Sequence, residues 1–219
     1  MTRPGKGRRA VTGNGALEAV RERASSCRAC GLWEPATQTV FGEGPIGARV
    51  MLVGEQPGDQ EDREGRPFVG PAGRLLDSAL DEAGIDRDDV YVTNAVKHFK
   101  WKPDRGGKRR IHDKPNWTEV GACLPWLHSE LALVKPEVVV CLGATAAQAL
   151  LGRSARVGEL RGRLLTGELD AAILVTAHPS SVLRARDEDR ATAREALVSD
   201  LTVVAELLSD SHQTRRLAG

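Results

Sequence analysis

The chain has 219 residues, 41% of them hydrophobic and 28% charged, with 31 Lys or Arg against 30 Asp or Glu. This composition excludes a collagen-like, coiled-coil or wholly disordered chain, and a net charge of +1 excludes a uniformly basic coat for a polyanion. Aromatic residues make up only 4%, so the core must be built from Val, Leu and Ala, and each aromatic outside the apolar pattern stands out.

Residues 1–15 are basic and Gly-rich with almost nothing to bury, and are expected to form a disordered arm. No apolar segment follows Arg3, Lys6, Arg8 and Arg9, so a cytoplasmic protein without membrane attachment is expected. A short helix at 16–24 precedes Cys27-x-x-Cys30. Four short runs, at 49–54, 90–96, 138–142 and 171–176, are nearly continuously apolar, as parallel strands covered on both faces are. After the first, Ala72, Leu75, Leu76, Ala79, Leu80 and Ala83 repeat at helical spacing, with Gly84 where a C-terminal cap belongs. Asn116 and Glu119 form a capping-box pattern before Trp117, Val120, Leu124, Leu127, Leu131 and Val134. Helices at 144–151 and 192–208 follow, then a flexible tail at 209–219. Alternating strands and helices predict an α/β fold, a three-layer α/β/α sandwich with a central four-stranded parallel sheet. One domain at 16–208 would carry a basic insertion loop at 97–115.

Open α/β sheets bind ligands at the carboxyl ends of their strands. The unusual residues sit there. The first strand runs into Gly54-Glu55-Gln56-Pro57-Gly58, which places a carboxylate and an amide on a tight turn and matches neither a P-loop nor a dinucleotide fingerprint. The second ends at Asn94 and the fourth at His178-Pro179-Ser180. Phe68, in the loop Gly65–Gly73, could plug the core or stack on a planar base. From Lys97 to Lys114 there are eight Lys or Arg against Asp104 and Asp113, a local charge of +6 that leaves the rest at −5. A solvated loop is the common fate of such a run, and a phosphate-binding surface the functional one. Within it, His112 follows Lys108, Arg109 and Arg110, whose charge disfavours protonation and leaves a neutral imidazole as nucleophile or base. Cys141 lies in an apolar strand and reads as a small hydrophobe. Cys27, Cys30 and Cys123 remain, with His98 the nearest fourth ligand, a set that suits zinc or an iron–sulfur cluster equally.

Together these motifs resemble the iron–sulfur family-four uracil-DNA glycosylases, and more closely the UdgX class. The resemblance rests on Cys27-x-x-Cys30, Val40-Phe41-Gly42-Glu43-Gly44, Gly54–Gly58, Gly65–Gly73, Thr93-Asn94-x-Val96-Lys97, the Lys108–His112 loop and His178-Pro179-Ser180. His98 stands where ordinary family four has Cys, as in the UdgX class, and Cys123 matches the last ligand. The resemblance implies a [4Fe–4S] cluster on Cys27, Cys30, His98 and Cys123, with Cys141 spare. It also implies excision of uracil from DNA in repair, single-stranded DNA foremost and double-stranded DNA as an option, by a monomer. Glu55, His112 and His178 would be catalytic, and Gln56, Phe68, Asn94 and His178 would hold uracil. Arg109, Arg110 and Ser180 would contact phosphate. His112 would join covalently to the deoxyribose, giving essentially one turnover. The rival expectations are an ordinary turnover glycosylase with water as nucleophile, and a non-catalytic nucleic-acid-binding protein with a structural metal.

Overall fold

The computed structural model describes residues 13–166 and 169–217; residues 1–12 of the expected arm lie outside that range, and residues 13–15, expected as part of it, open the first helix. A helix α1 (Gly13–Ser25) is followed by β1 (Val50–Gly54), α2 (Asp59–Glu64), α3 (Pro71–Glu82), β2 (Val90–Asn94) and a hairpin of β3 (Trp101–Pro103) and β4 (Arg110–His112). Then come α4 (Trp117–Val134), β5 (Val138–Leu142), α5 (Ala144–Leu151), α6 (Val157–Leu160), β6 (Leu164–Thr166), β7 (Ala172–Thr176), α7 (Pro179–Leu183) and α8 (Asp187–Leu217). The main sheet has the order β2-β1-β5-β7-β6, parallel except for β6.

The predicted sandwich is present, with three differences. The sheet has five strands, because β6 adds an antiparallel edge too short and too exposed to leave an apolar run in the sequence. The insertion is an antiparallel ribbon rather than an open loop. The last helix continues to Leu217, so residues 209–217, expected as a tail, are helical.

Strand alternation divides the core in two. Met51, Val53, Val139, Cys141, Ile173 and Val175 face α1, α4 and α5, where Leu17, Val20, Leu127, Leu131 and Ala146 cover them. Leu52, Val92, Val140, Leu142 and Leu174 face α3 and α8, against Leu76, Leu80, Leu197, Leu201 and Val204. Burying each such side chain contributes roughly 1.5–3 kcal/mol. With both faces dry, the strand ends are the exposed part of the sheet. The register aligns them: Gly54 pairs with Asn94 and Leu142 with Thr176. No helix among the described residues is long and apolar enough to cross a membrane.

Candidate active site

A cavity of about 530 Å³ opens at those strand ends, and Glu55, Gln56, Phe68, Asn94, His112, His178 and Ser180 all line it. Phe68 sits at the loop apex with φ 56°, a left-handed backbone that is costly for a bulky residue. Its carbonyl packs so closely on Gly73 that a Cβ there would collide with it. The buried Glu61 carboxylate accepts the Gly70 N–H at 2.8 Å and the Gly58 N–H at 3.1 Å, tying the Phe68 loop to the turn after β1. The Phe68 ring stacks with that of His178, centroids 6.1 Å apart and planes at 28°. A Cβ on Gly54 would lie 2.8 Å from this ring and collide with the Asn94 amide oxygen, so glycine keeps the floor open.

Asn94 is 3% exposed and its side-chain amide has no hydrogen bond to the described residues. Its backbone is held from beneath. The buried Lys97 ammonium donates to the Asn94 carbonyl at 2.7 Å, to the Thr93 hydroxyl at 2.6 Å and to Glu130 at 2.5 Å. Glu130, on α4 and fully buried, also accepts from the Tyr91 hydroxyl at 3.1 Å and the Gly42 N–H at 2.9 Å. Burial and Glu130 together push the Tyr91 phenol far upward, keeping it a donor.

His178 caps α7. Its Nδ1 accepts the Ser180 N–H at 3.1 Å and lies 2.8 Å from the Ser180 hydroxyl. An N–H aimed at Nδ1 requires a lone pair there, so the neutral ring carries its proton on Nε2. Burial, with Arg184 and His112 nearby, pushes its pKa down to about 4. The site therefore holds a neutral imidazole that donates from Nε2.

Glu55 and His112 meet across the cavity, His112 Nε2 standing 3.4 Å from Glu55 Oε1. Burial lowers the His112 pKa, Arg184 lowers it further, and Glu55 and Asp113 act in the opposite direction. The second Glu55 oxygen, Oε2, accepts a hydrogen bond from the Thr145 hydroxyl on α5.

Two expected roles are altered by the geometry. Gln56 spends its side chain on the root of the hairpin, donating to the Lys100 carbonyl at 3.1 Å and the Asp113 carbonyl at 3.0 Å, and accepting the Lys100 N–H at 3.1 Å. Arg110 is turned inward instead of toward phosphate: it pairs with Asp59 and, at 2.6 Å, with the buried Asp62, and lies over the Phe99 and Trp101 rings at 5.4 and 5.6 Å. Arg109 is exposed on the same ribbon. Asp59, Asp62, Glu61, Thr145 and Arg184 carry no signal in the sequence beyond an acidic run and a helix start.

Away from the cavity, Cys123 is buried with Cys30 packed against its cluster. The Lys97 N–H donates to Cys123 Sγ and the Trp126 indole to Cys27 Sγ, both at 3.3 Å. Burial, with Cys27 and Cys30 close by, raises the Cys123 thiol to about 11. His98 is buried, its Nε2 2.9 Å from the Thr39 hydroxyl. Among the described residues no three of His, Cys, Asp and Glu are grouped tightly enough for a lone metal ion. N–H donors aimed at sulfur are the partners that a ligating thiolate accepts from. Cys141 is in the core, its thiol raised to about 12 by burial alone.

The family model described as the uracil DNA glycosylase superfamily matches residues 41–202. The chain is 38% identical over 174 residues to a type-4 uracil-DNA glycosylase of Thermotoga maritima, covering 79% of this chain and 86% of that protein. It is also 38% identical over 175 residues to a type-4 uracil-DNA glycosylase of Pyrobaculum aerophilum, covering 77% and 85%. A third, from Archaeoglobus fulgidus, is 32% identical over 205 residues, covering 90% and 96%.

Proposed function

The chain belongs to the uracil DNA glycosylase superfamily, and from that premise we propose that it excises uracil from DNA in repair and retains the abasic sugar on His112, as in the UdgX class. The observation that carries the covalent step is the neutral His112 ring, 3.4 Å from Glu55 inside the cavity that holds Phe68, Asn94 and His178.

Breaking the bond between C1′ and N1 sends its electron pair into uracil and leaves positive charge on the sugar. A base inside a duplex must first be extruded, and single-stranded DNA avoids that cost. Phe68 stacks on the extruded ring, and the uncommitted Asn94 amide pairs with its polar edge. The His178 Nε2–H donates to the oxygen where negative charge collects, an interaction strengthened in a dry, preorganised pocket. The Glu55 carboxylate faces the cationic sugar. His112 Nε2 then attacks C1′; the resulting imidazolium releases its Nδ1 proton to solvent, and the uracil anion is protonated there. Arg109 and Ser180 are the phosphate contacts in this reading, supplying salt-dependent affinity, and the protein acts as a monomer.

Cys27, Cys30, His98 and Cys123 would hold a [4Fe–4S] cluster, which supplies a structural tie and no chemistry at the sugar. These residues pin the N-terminal segment to the root of the hairpin and to α4. The domain doing this work is 16–208, with its insertion at 97–115.

Mixing the protein with uracil-containing single-stranded DNA and running a denaturing gel tests the reading. A shifted band is expected from wild type and from Cys141→Ala, and none from His112→Ala. An unchanged band in His112→Ala sinks the covalent assignment. Repeated uracil release without a shifted band would establish the turnover alternative, the group to which the type-4 names of the relatives belong.

A further inference from the structure

We propose that Thr145 is a positioning residue for the reaction: its hydroxyl ties down one oxygen of Glu55 so that the other alone is presented to the sugar and His112. The inference rests on the uracil-excision reading above.

The geometry starts in the sheet. β1 and β5 are adjacent and parallel, with Val53 beside Cys141, so the residue leaving β1 emerges next to the first turn of α5. Thr145 is the second residue of that helix and is 2% exposed. A helical threonine ordinarily returns its hydroxyl proton to a carbonyl one turn back. Here the hydroxyl donates instead to Glu55 Oε2. With Oε2 engaged, Oε1 faces the cavity and stands 3.4 Å from His112 Nε2. A carboxylate free to rotate would present either oxygen.

The other ionisable groups that line the cavity with Glu55 are Glu61 on α2, His112 at the end of β4, and His178 and Arg184 flanking α7. Glu61 adds negative charge and Arg184 adds positive charge. Thr145 brings no charge of its own, so its effect passes through one proton donated to one oxygen.

Uracil release under single-turnover conditions, measured in four proteins, separates this role from plain packing: wild type, Thr145→Val, Glu55→Gln and the double variant, with Thr145→Ser as the conservative control. Valine keeps the shape and deletes the donor. Thr145→Val is expected to slow wild type by roughly ten-fold, the scale of a hydrogen bond to a charged group. The same change is expected to leave Glu55→Gln unaltered, because the carboxylate it serves is already gone. Thr145→Ser is expected to stay within about two-fold of wild type. An equal slowing in both backgrounds, or none in wild type, overturns the inference. Failure of wild type itself to release uracil overturns instead the reading on which it rests.

Discussion

His178 and His112 show how two like residues are prepared for different tasks. Both are held neutral by burial and by Arg184. His178 is locked by the Ser180 N–H into the tautomer that donates from Nε2, whereas His112 keeps a ring nitrogen toward Glu55. The pH consequence follows from the sign of the shift. His178 has a folded pKa of about 4 against 6.5 for the free side chain, so between these values the unfolded chain binds more protons than the folded one. Stability then rises with pH across that window, is complete above about 6.5 and is lost as pH falls toward 4. An NMR titration of the imidazole resonances should show His178 uncharged at pH 5; a midpoint near 6.5 would refute the burial argument. At this scale Glu55, Asn94 and His178 were legible, because polar residues directly after apolar strands have few structural reasons to be there. Thr145 was not legible: in Ala144-Thr145-Ala146-Ala147 it reads as an ordinary helix start, and only the neighbouring strand gives its hydroxyl a partner.

Among the elements, the short helix α2 joins the two halves of the site. Glu61 faces the Gly58 and Gly70 turns while its neighbour Asp62 accepts from Arg110 and from the Thr37 N–H at 3.0 Å. The Phe68 loop and the hairpin that carries His112 are thus referenced to one turn of helix. Replacing Arg110 by Ala leaves Asp62 buried without its cation, a change that costs about 3–5 kcal/mol for a fully buried pair and less here, where Asp59 is partly exposed. The expected result is adduct formation slowed at least ten-fold, with uracil release within roughly three-fold of wild type. Lys should not restore it, since an ammonium cannot span both carboxylates as a guanidinium does. A loss of DNA affinity with a reduced salt slope would instead return Arg110 to the phosphate role first expected of it. The large strands and α3 were readable from their burial patterns. β6, α7 and the ribbon were not, because they are short and partly exposed, and leave neither an unbroken apolar run nor a period to read.

For the whole molecule, the sandwich supplies rigidity and the N-terminal segment is fastened to it beside the cysteines. Thr39 bonds the Ala24 carbonyl and contacts His98, Trp126 reaches Cys27, and Arg28 lies over the Trp33 ring at 4.1 Å. Purified protein is expected to be brown and to contain iron and acid-labile sulfide in equal amounts of about four per chain. Removal by chelation under oxidising conditions should open residues 27–40 to proteolysis before the sheet unfolds. Zinc in place of iron would refute the cluster while leaving the fold intact. The net charge of +1 conceals the division of labour at this scale: a basic ribbon stands on an acidic body, and part of its charge is consumed internally by Arg110, by Lys100 with Glu119 at 3.0 Å and by Lys102 with Asp113 at 3.1 Å.

The ribbon closes on itself at its base, where the Asp113 N–H meets the Lys100 carbonyl at 3.0 Å and Gln56 clamps both chains. It is an attachment to the scaffold, held by Gln56 at its base and by Arg110 on Asp59 and Asp62 along its length. On the covalent step proposed for His112, which is mounted there, the protein's capacity would be set by how many copies a cell holds, since each lesion met would remove one copy from the supply. Such a molecule would work as a stoichiometric marker of damage, its signal persisting until the protein itself is degraded from the strand.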